Sequence, residues 1–201
     1  MSSANASPRI TLIDGRSGSG KTTFATALAL RTGAQLISLD NVYPGWDGLE
    51  AGEAHVLEHV LRAIAEGRAP RWQSWNWVDD QPASWHELDP TRDLIVEGCG
   101  AISPAARALA HHAIWVELAD AAERRRRAIA RDGDVFALNW ERWARQEDQH
   151  AALHDPRGTA DEVVEGLTVE SAAGVVVSAS PALNHGDRVG EPPRDAGLGD
   201  R

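Results

Sequence analysis

Apolar residues in this chain gather in short runs separated by longer amphipathic stretches. Residues 9–14 (RITLID), 34–39, 93–97 (DLIVE) and 113–118 (AIWVEL) are compact apolar runs bounded by turn or charged residues, the pattern of buried strands. A further strand is expected to begin at 162–164 and another at 174–178. Between them, residues 22–31 (TTFATALALR) are strong helix formers, with Gly33 placed as a C-cap. Residues 52–66 set Val56, Val60, Leu61 and Ile64 at helical spacing before Gly67. Residues 121–131 and 135–152 read as two helices parted by Asp132-Gly133-Asp134, while residues 71–85, dense in tryptophan and turn residues, fit no clear period. Strands alternating with helices predict a parallel sheet covered on both faces.

Composition narrows this picture. A chain of 201 residues with 42% hydrophobic content suits one globular domain. No apolar run approaches the roughly 18–20 residues of a spanning helix, so no membrane partner is expected. Residues 1–8 are small and polar, read as a flexible N-terminus without a secretory signal, and the expected address is the cytoplasm. From about residue 181 to 201 Gly, Pro and charge mix without period, so a disordered tail is expected beyond a domain of residues 9–180. The formal net charge of −10 argues against binding a nucleic-acid polymer. A single cysteine, Cys99, excludes an intramolecular disulfide.

The basic residues change the picture most. Lys21 is the only lysine, and it stands in Gly15-Arg-Ser-Gly-Ser-Gly-Lys-Thr22, a phosphate-loop pattern with a strand before it and a helix after it. By composition alone that arrangement around a sole lysine arises about once in a thousand times. Glycines at 15, 18 and 20 allow backbone angles and close approach that a Cβ would block. The N–H groups of Ser17, Ser19 and their neighbours can then face phosphate oxygens, with Thr23 in the first helical turn. Lys21 brings an ammonium to the β- and γ-phosphates, and Thr22 brings a hydroxyl to Mg²⁺. ATP and Mg²⁺ are the expected cofactors.

Two acids sit where strands should end, Asp40 after residues 36–39 and Glu97 after residues 94–96. Ligands of open parallel sheets lie outside the carboxyl ends of the strands, so both are expected at the loop's cleft. Asp40 is assigned to an acceptor hydroxyl as base or orienter, and Glu97 to the Mg²⁺ shell; each also fits a turn or helix-cap role. Asp14 precedes the loop and fits a brace. On the helix of residues 121–131, Arg124, Arg127 and Arg131 share one face, suited to spreading phosphate charge in a lid of about residues 124–150 hinged at Asp132-Gly133-Asp134. The same run also fits a solvated face, the reading favoured for Arg125 and Arg126. The tryptophans between the second and third strands, with Tyr43, Trp77 and Asp79, fit an acceptor pocket or a small core beneath a long connection. The pairs His55/His59 and His150/His154 have metal-compatible spacing but no further ligand pattern.

The combination of residues 15–23 (GRSGSGKTT), 39–43 (LDNVY), 94–98 (LIVEG) and Arg124-x2-Arg127-x3-Arg131-Asp132 resembles the uridine kinase and phosphoribulokinase group of phosphate-loop kinases, over roughly residues 9–166. The resemblance implies a three-layer α/β fold with a five-stranded, mostly parallel sheet and a small helical lid. It also implies transfer of the γ-phosphate of ATP to a hydroxyl of a nucleoside or similar metabolite by a monomer or homodimer. It would give Asp40 the acceptor hydroxyl and Arg127 and Arg131 the transferred phosphate. The chain departs from the group at residues 132–136 (DGDVF) and in its tryptophan-rich stretch, so the ATP half carries over better than the acceptor half. A nucleotide-binding switch without turnover, or a kinase of a sugar, antibiotic or acidic metabolite, are the competing expectations.

Overall fold

The structure, a computed structural model, describes residues 7–165. The expected strand at 174–178, the tail at 181–201 and the first six residues lie outside the described residues.

Five strands form one parallel sheet in the order β2-β5-β1-β6-β7. They are β1 (Ile10–Asp14), β2 (Gln35–Ser38), β5 (Leu94–Glu97), β6 (His112–Glu117) and β7 (Glu162–Glu165). The register sets Leu12 beside Val96 and Ser38 beside Glu97. Alternation along the strands then divides the core. On one face Ile13, Ile95, Ile114 and Val116 pack with Phe24 and Ala25 of α1 (Lys21–Thr32). On the other, Leu12, Leu94, Val96 and Ala113 pack under a second helical layer. That layer comprises α2 (Leu49–Val56), which continues through a π-helical turn at Leu57–Leu61 into α3 (Arg62–Ala65), then α4 (Pro104–Arg107) and α5 (Ala121–His154). The short α6 (Pro156–Thr159) leads into β7. The result is the expected three-layer α/β arrangement.

Three details differ from the pattern-based expectation. Residues 71–85 belong to an antiparallel hairpin, β3 (Arg71–Asn76) and β4 (Gln81–Glu87), separate from the main sheet. β4 is exposed along its whole length, and a register shift between Gln73 and Trp75 breaks the alternation that would have announced the hairpin. The two expected helices around residue 133 form one helical run with a break at Gly133 (φ 74°, ψ −158°), backbone angles open to glycine. The second helix starts at Leu49, a turn before Gly52. Among the described residues no helix is long and apolar enough to cross a membrane.

Candidate active site

The site begins where β1 ends. The Asp14 carboxylate is buried and accepts the N–H groups of Gly15 (2.6 Å), Gly100 (3.1 Å) and Ile102 (2.9 Å), so it braces the loop against the segment after β5. Burial lifts its pKa to about 7, against the opposing pull of those N–H groups and Lys21. A Cβ on Gly15 would run into the Val116 carbonyl, and one on Gly18 (φ 78°) into the Arg124 carbonyl. The close approach at these two glycines is therefore made by the protein's own main chain, at the end of β6 and the first turn of α5. Gly20 is the N-cap of α1, and no side chain caps that helix, so its positive end and the N–H groups of Lys21, Thr22 and Thr23 face the loop.

Lys21 is 5% exposed at the start of α1. Burial disfavours its charge, but the Cys99 sulfur, Asp40, Glu97 and Glu147 favour it, and the balance holds its pKa above the ordinary value. Thr22 Oγ1 donates to Glu97 Oε2 (3.2 Å), and Ser38 Oγ donates to Glu97 Oε1 (2.5 Å). Glu97 is fully buried, and burial raises its pKa while Lys21 opposes the rise. Asp40 lies in a short 3-10 turn, Leu39–Asn41, just past β2, and its charge is felt by Lys21, Glu97 and Arg131.

These groups meet in a cavity of about 460 Å³. Ser17, Lys21, Thr22 and Asp40 line one side; Tyr43, Trp46, Trp77, Phe136 and Trp143 supply aromatic walls, and Arg131 and Asp132 close the rim. Trp46 sits at the centre of the aromatic group, 5.1 Å from Trp77 and 5.5 Å from Phe136 between ring centroids. The Trp77 indole N–H donates to the Asp40 carbonyl (2.8 Å), so the tip of the β3–β4 hairpin is fastened to the segment that carries Asp40. Tyr43 is buried and donates to the Cys99 carbonyl (2.7 Å).

The remaining expected site residues divide between the cavity and its surroundings. Asp79 lies exposed in the hairpin turn, accepting from Asn76 Nδ2 (2.7 Å), and does not line the cavity. Arg127 is paired with Glu123 (2.8 Å) outside the cavity lining. Arg131 lines the cavity and makes a two-pronged bond to Asp132 (2.7 and 2.6 Å) that raises its pKa. Arg124 is buried over the loop, and burial, with Arg16 nearby, lowers its pKa. Arg126 bonds Glu123 on the exposed side. In the histidine pairs, His55 Nε2 accepts the Gln73 N–H (3.0 Å) and His150 Nε2 lies 3.1 Å from the Ile102 carbonyl.

The residues present fit a bound nucleotide and cation. Ser19 Oγ and Arg124 Nε are buried beside the loop without a hydrogen-bond partner, as groups awaiting an anion would be. Thr22 and Glu97 offer hard oxygen donors, and among the described residues no cluster of three or more His, Cys, Asp or Glu could hold a metal alone. That donor set suits Mg²⁺, which keeps waters and phosphate oxygens in its shell.

Sequence reasoning missed Glu147, Arg16 and Cys99. Glu147, from the far half of α5, takes the Ser17 N–H expected to face phosphate and also meets Arg16 of the loop and Cys99 just past β5, while the Ser19 N–H donates to the Arg16 carbonyl (3.0 Å). No local pattern could have signalled a contact between residues 130 positions apart.

Sheet order and the glycine-rich loop between β1 and α1 together define a phosphate-loop α/β fold. Among solved structures, one described as a possible uridine kinase from Bacillus stearothermophilus matches with a TM-score of 0.57 at 17% identity, covering 79% of this chain and 89% of that one. TT1252 from Thermus thermophilus matches at TM-score 0.49 and 20% identity (84% and 94% covered). A shikimate kinase from Acinetobacter baumannii in complex with shikimate matches at 0.45 and 15% (85% and 91%). No protein-family model matches the chain, and neither does any curated protein sequence.

Proposed function

We propose that the protein is a Mg²⁺- and ATP-dependent phosphotransferase that phosphorylates a hydroxyl of a small molecule, a nucleoside or similar metabolite with a flat ring. The observation that carries this reading is the shared cavity: Lys21 and Thr22 of the phosphate loop open into the same space as Asp40 and the rings of Trp46, Trp77, Phe136 and Trp143. A site for nucleotide binding alone has no need of a carboxylate beside an aromatic wall.

When bound, ATP supplies the phosphoryl group and Mg²⁺ neutralises charge on it. Thr22 and Glu97 would hold the cation. Lys21, Arg124 and Arg131 would face the phosphates, placing fixed positive charge where it develops in the transition state. Asp40 takes the proton of the acceptor hydroxyl on its carboxylate as that oxygen bonds to phosphorus and ADP departs. Arg127 joins this scheme only by leaving Glu123. The aromatic walls orient the acceptor and exclude water, which limits wasteful hydrolysis.

An ATP-consumption screen over nucleosides, sugars and small alcohols tests the proposal, with thermal shifts read in parallel. Turnover stimulated by a ring-bearing alcohol is the expected result. Nucleotide binding without turnover for any acceptor would instead favour a switch.

A further inference from the structure

This inference rests on the nucleotide reading of the phosphate loop. The first half of that loop is held by a group its motif does not call for. Glu147, 7% exposed, extends from α5 so that Oε1 accepts the Ser17 N–H at 2.8 Å and Oε2 lies 3.3 Å from Arg16 Nε. The Cys99 sulfur is 3.2 Å from Oε1 and 3.4 Å from the Gly15 carbonyl. Arg16 is also paired with Asp148, the next residue of α5. The partners of Glu147 all belong to the loop or to the segment braced against it.

A carboxylate beside a phosphate cradle opposes the anion the cradle receives. Its presence therefore calls for a compensating benefit, and geometry supplies one. Ser17 lies between β1 and α1, so no strand or helix of the loop's own pairs its N–H, and Ser17 lines the cavity. Glu147 satisfies the Ser17 N–H from α5 and, with Asp148, pairs Arg16. The same helix carries Arg131 and Phe136 on the cavity wall. We propose that Glu147 is a positioning residue for nucleotide binding, fixing the Arg16–Ser17 part of the phosphate loop from the lid helix.

Titration calorimetry with Mg²⁺ and ATP on the full chain tests this, with the melting temperature of each variant measured alongside. Glu147→Gln keeps the reach and one acceptor oxygen for the Ser17 N–H, so its ATP dissociation constant should stay within about threefold of wild type. Glu147→Ala leaves the buried N–H unpaired and should weaken ATP about tenfold or more. Glu147→Asp keeps the charge but loses the reach, and should weaken ATP as alanine does. Should the alanine variant fail to fold, the Gln and Asp variants carry the test. ATP affinity equal to wild type in the folded variants would reduce Glu147 to ordinary packing and overturn the inference. Tighter binding in the variants that lack the charge would likewise overturn it, leaving a carboxylate that only repels phosphate. A wild-type chain that binds no ATP would overturn the phosphate-loop reading and this inference with it.

Discussion

At the scale of single residues, chemistry in this chain follows from where burial places charge. Arginine serves at nineteen positions, Arg16 of the loop among them, but the buried cation that opens α1 is Lys21, a compact ammonium rather than a planar guanidinium. Asp40 stands in the cavity without sharing in the Glu97–Thr22–Ser38 group, and the proposed function gives it the acceptor hydroxyl. Asp40→Asn should lower turnover by about a hundredfold or more while ATP affinity stays near wild type, measured by steady-state kinetics and calorimetry. Lost ATP affinity would assign Asp40 to the cation instead. Asp14 makes a different prediction. Its pKa of about 7 in the fold lies above the ordinary 3.8, so its contribution to stability is complete below about pH 4 and is lost as pH rises towards 7. Asp14→Asn cannot ionise and should lack that component. The melting temperature of wild type, measured relative to the variant, should therefore fall between pH 4 and pH 7 and level off above. A constant difference across that range would mean the carboxylate is ionised throughout.

At the scale of elements, the sheet was legible and the hairpin was not, for a physical reason. β1, β5 and β6 are buried on both faces, so each reads as a continuous apolar run whatever its neighbours. β4 is exposed on both faces and β3 is only partly covered, so nothing imposes a period-two pattern on their residues. The break in α5 was visible as Asp132-Gly133-Asp134, because glycine between acids is a poor helix interior. The phosphate loop was legible because its chemistry is local, whereas Glu147 meets it only through tertiary packing. Trp77 shows what the hairpin adds to the site: its indole fastens the hairpin tip to the Asp40 main chain. Trp77→Phe keeps an aromatic wall but removes that N–H. It should raise the KM for the acceptor several-fold and leave the KM for ATP within about twofold, the cost of one hydrogen bond being about 0.5–1.5 kcal/mol. Equal effects on both substrates would show that the hairpin supports the whole cleft rather than the acceptor side.

At the scale of the molecule, one sheet separates two cores, and the phosphate loop after β1 and Asp40 after β2 meet in one cavity at its carboxyl end. α5 unites the parts: its first turn packs its main chain against Gly18, its middle carries Arg131 and Phe136 to the cavity, and its far half holds Ser17 through Glu147. In the proposed reading, one helical run with a break at Gly133 thus joins the nucleotide side to the acceptor side. The most direct test is to incubate the protein with ATP, Mg²⁺ and a library of ring-bearing alcohols, and to look by mass spectrometry for a phosphomonoester of one of them. The expected result is one phosphorylated product class with wild type and none above background with Lys21→Ala. ATP that binds while every alcohol stays unmodified, or product formed equally by Lys21→Ala, would contradict it.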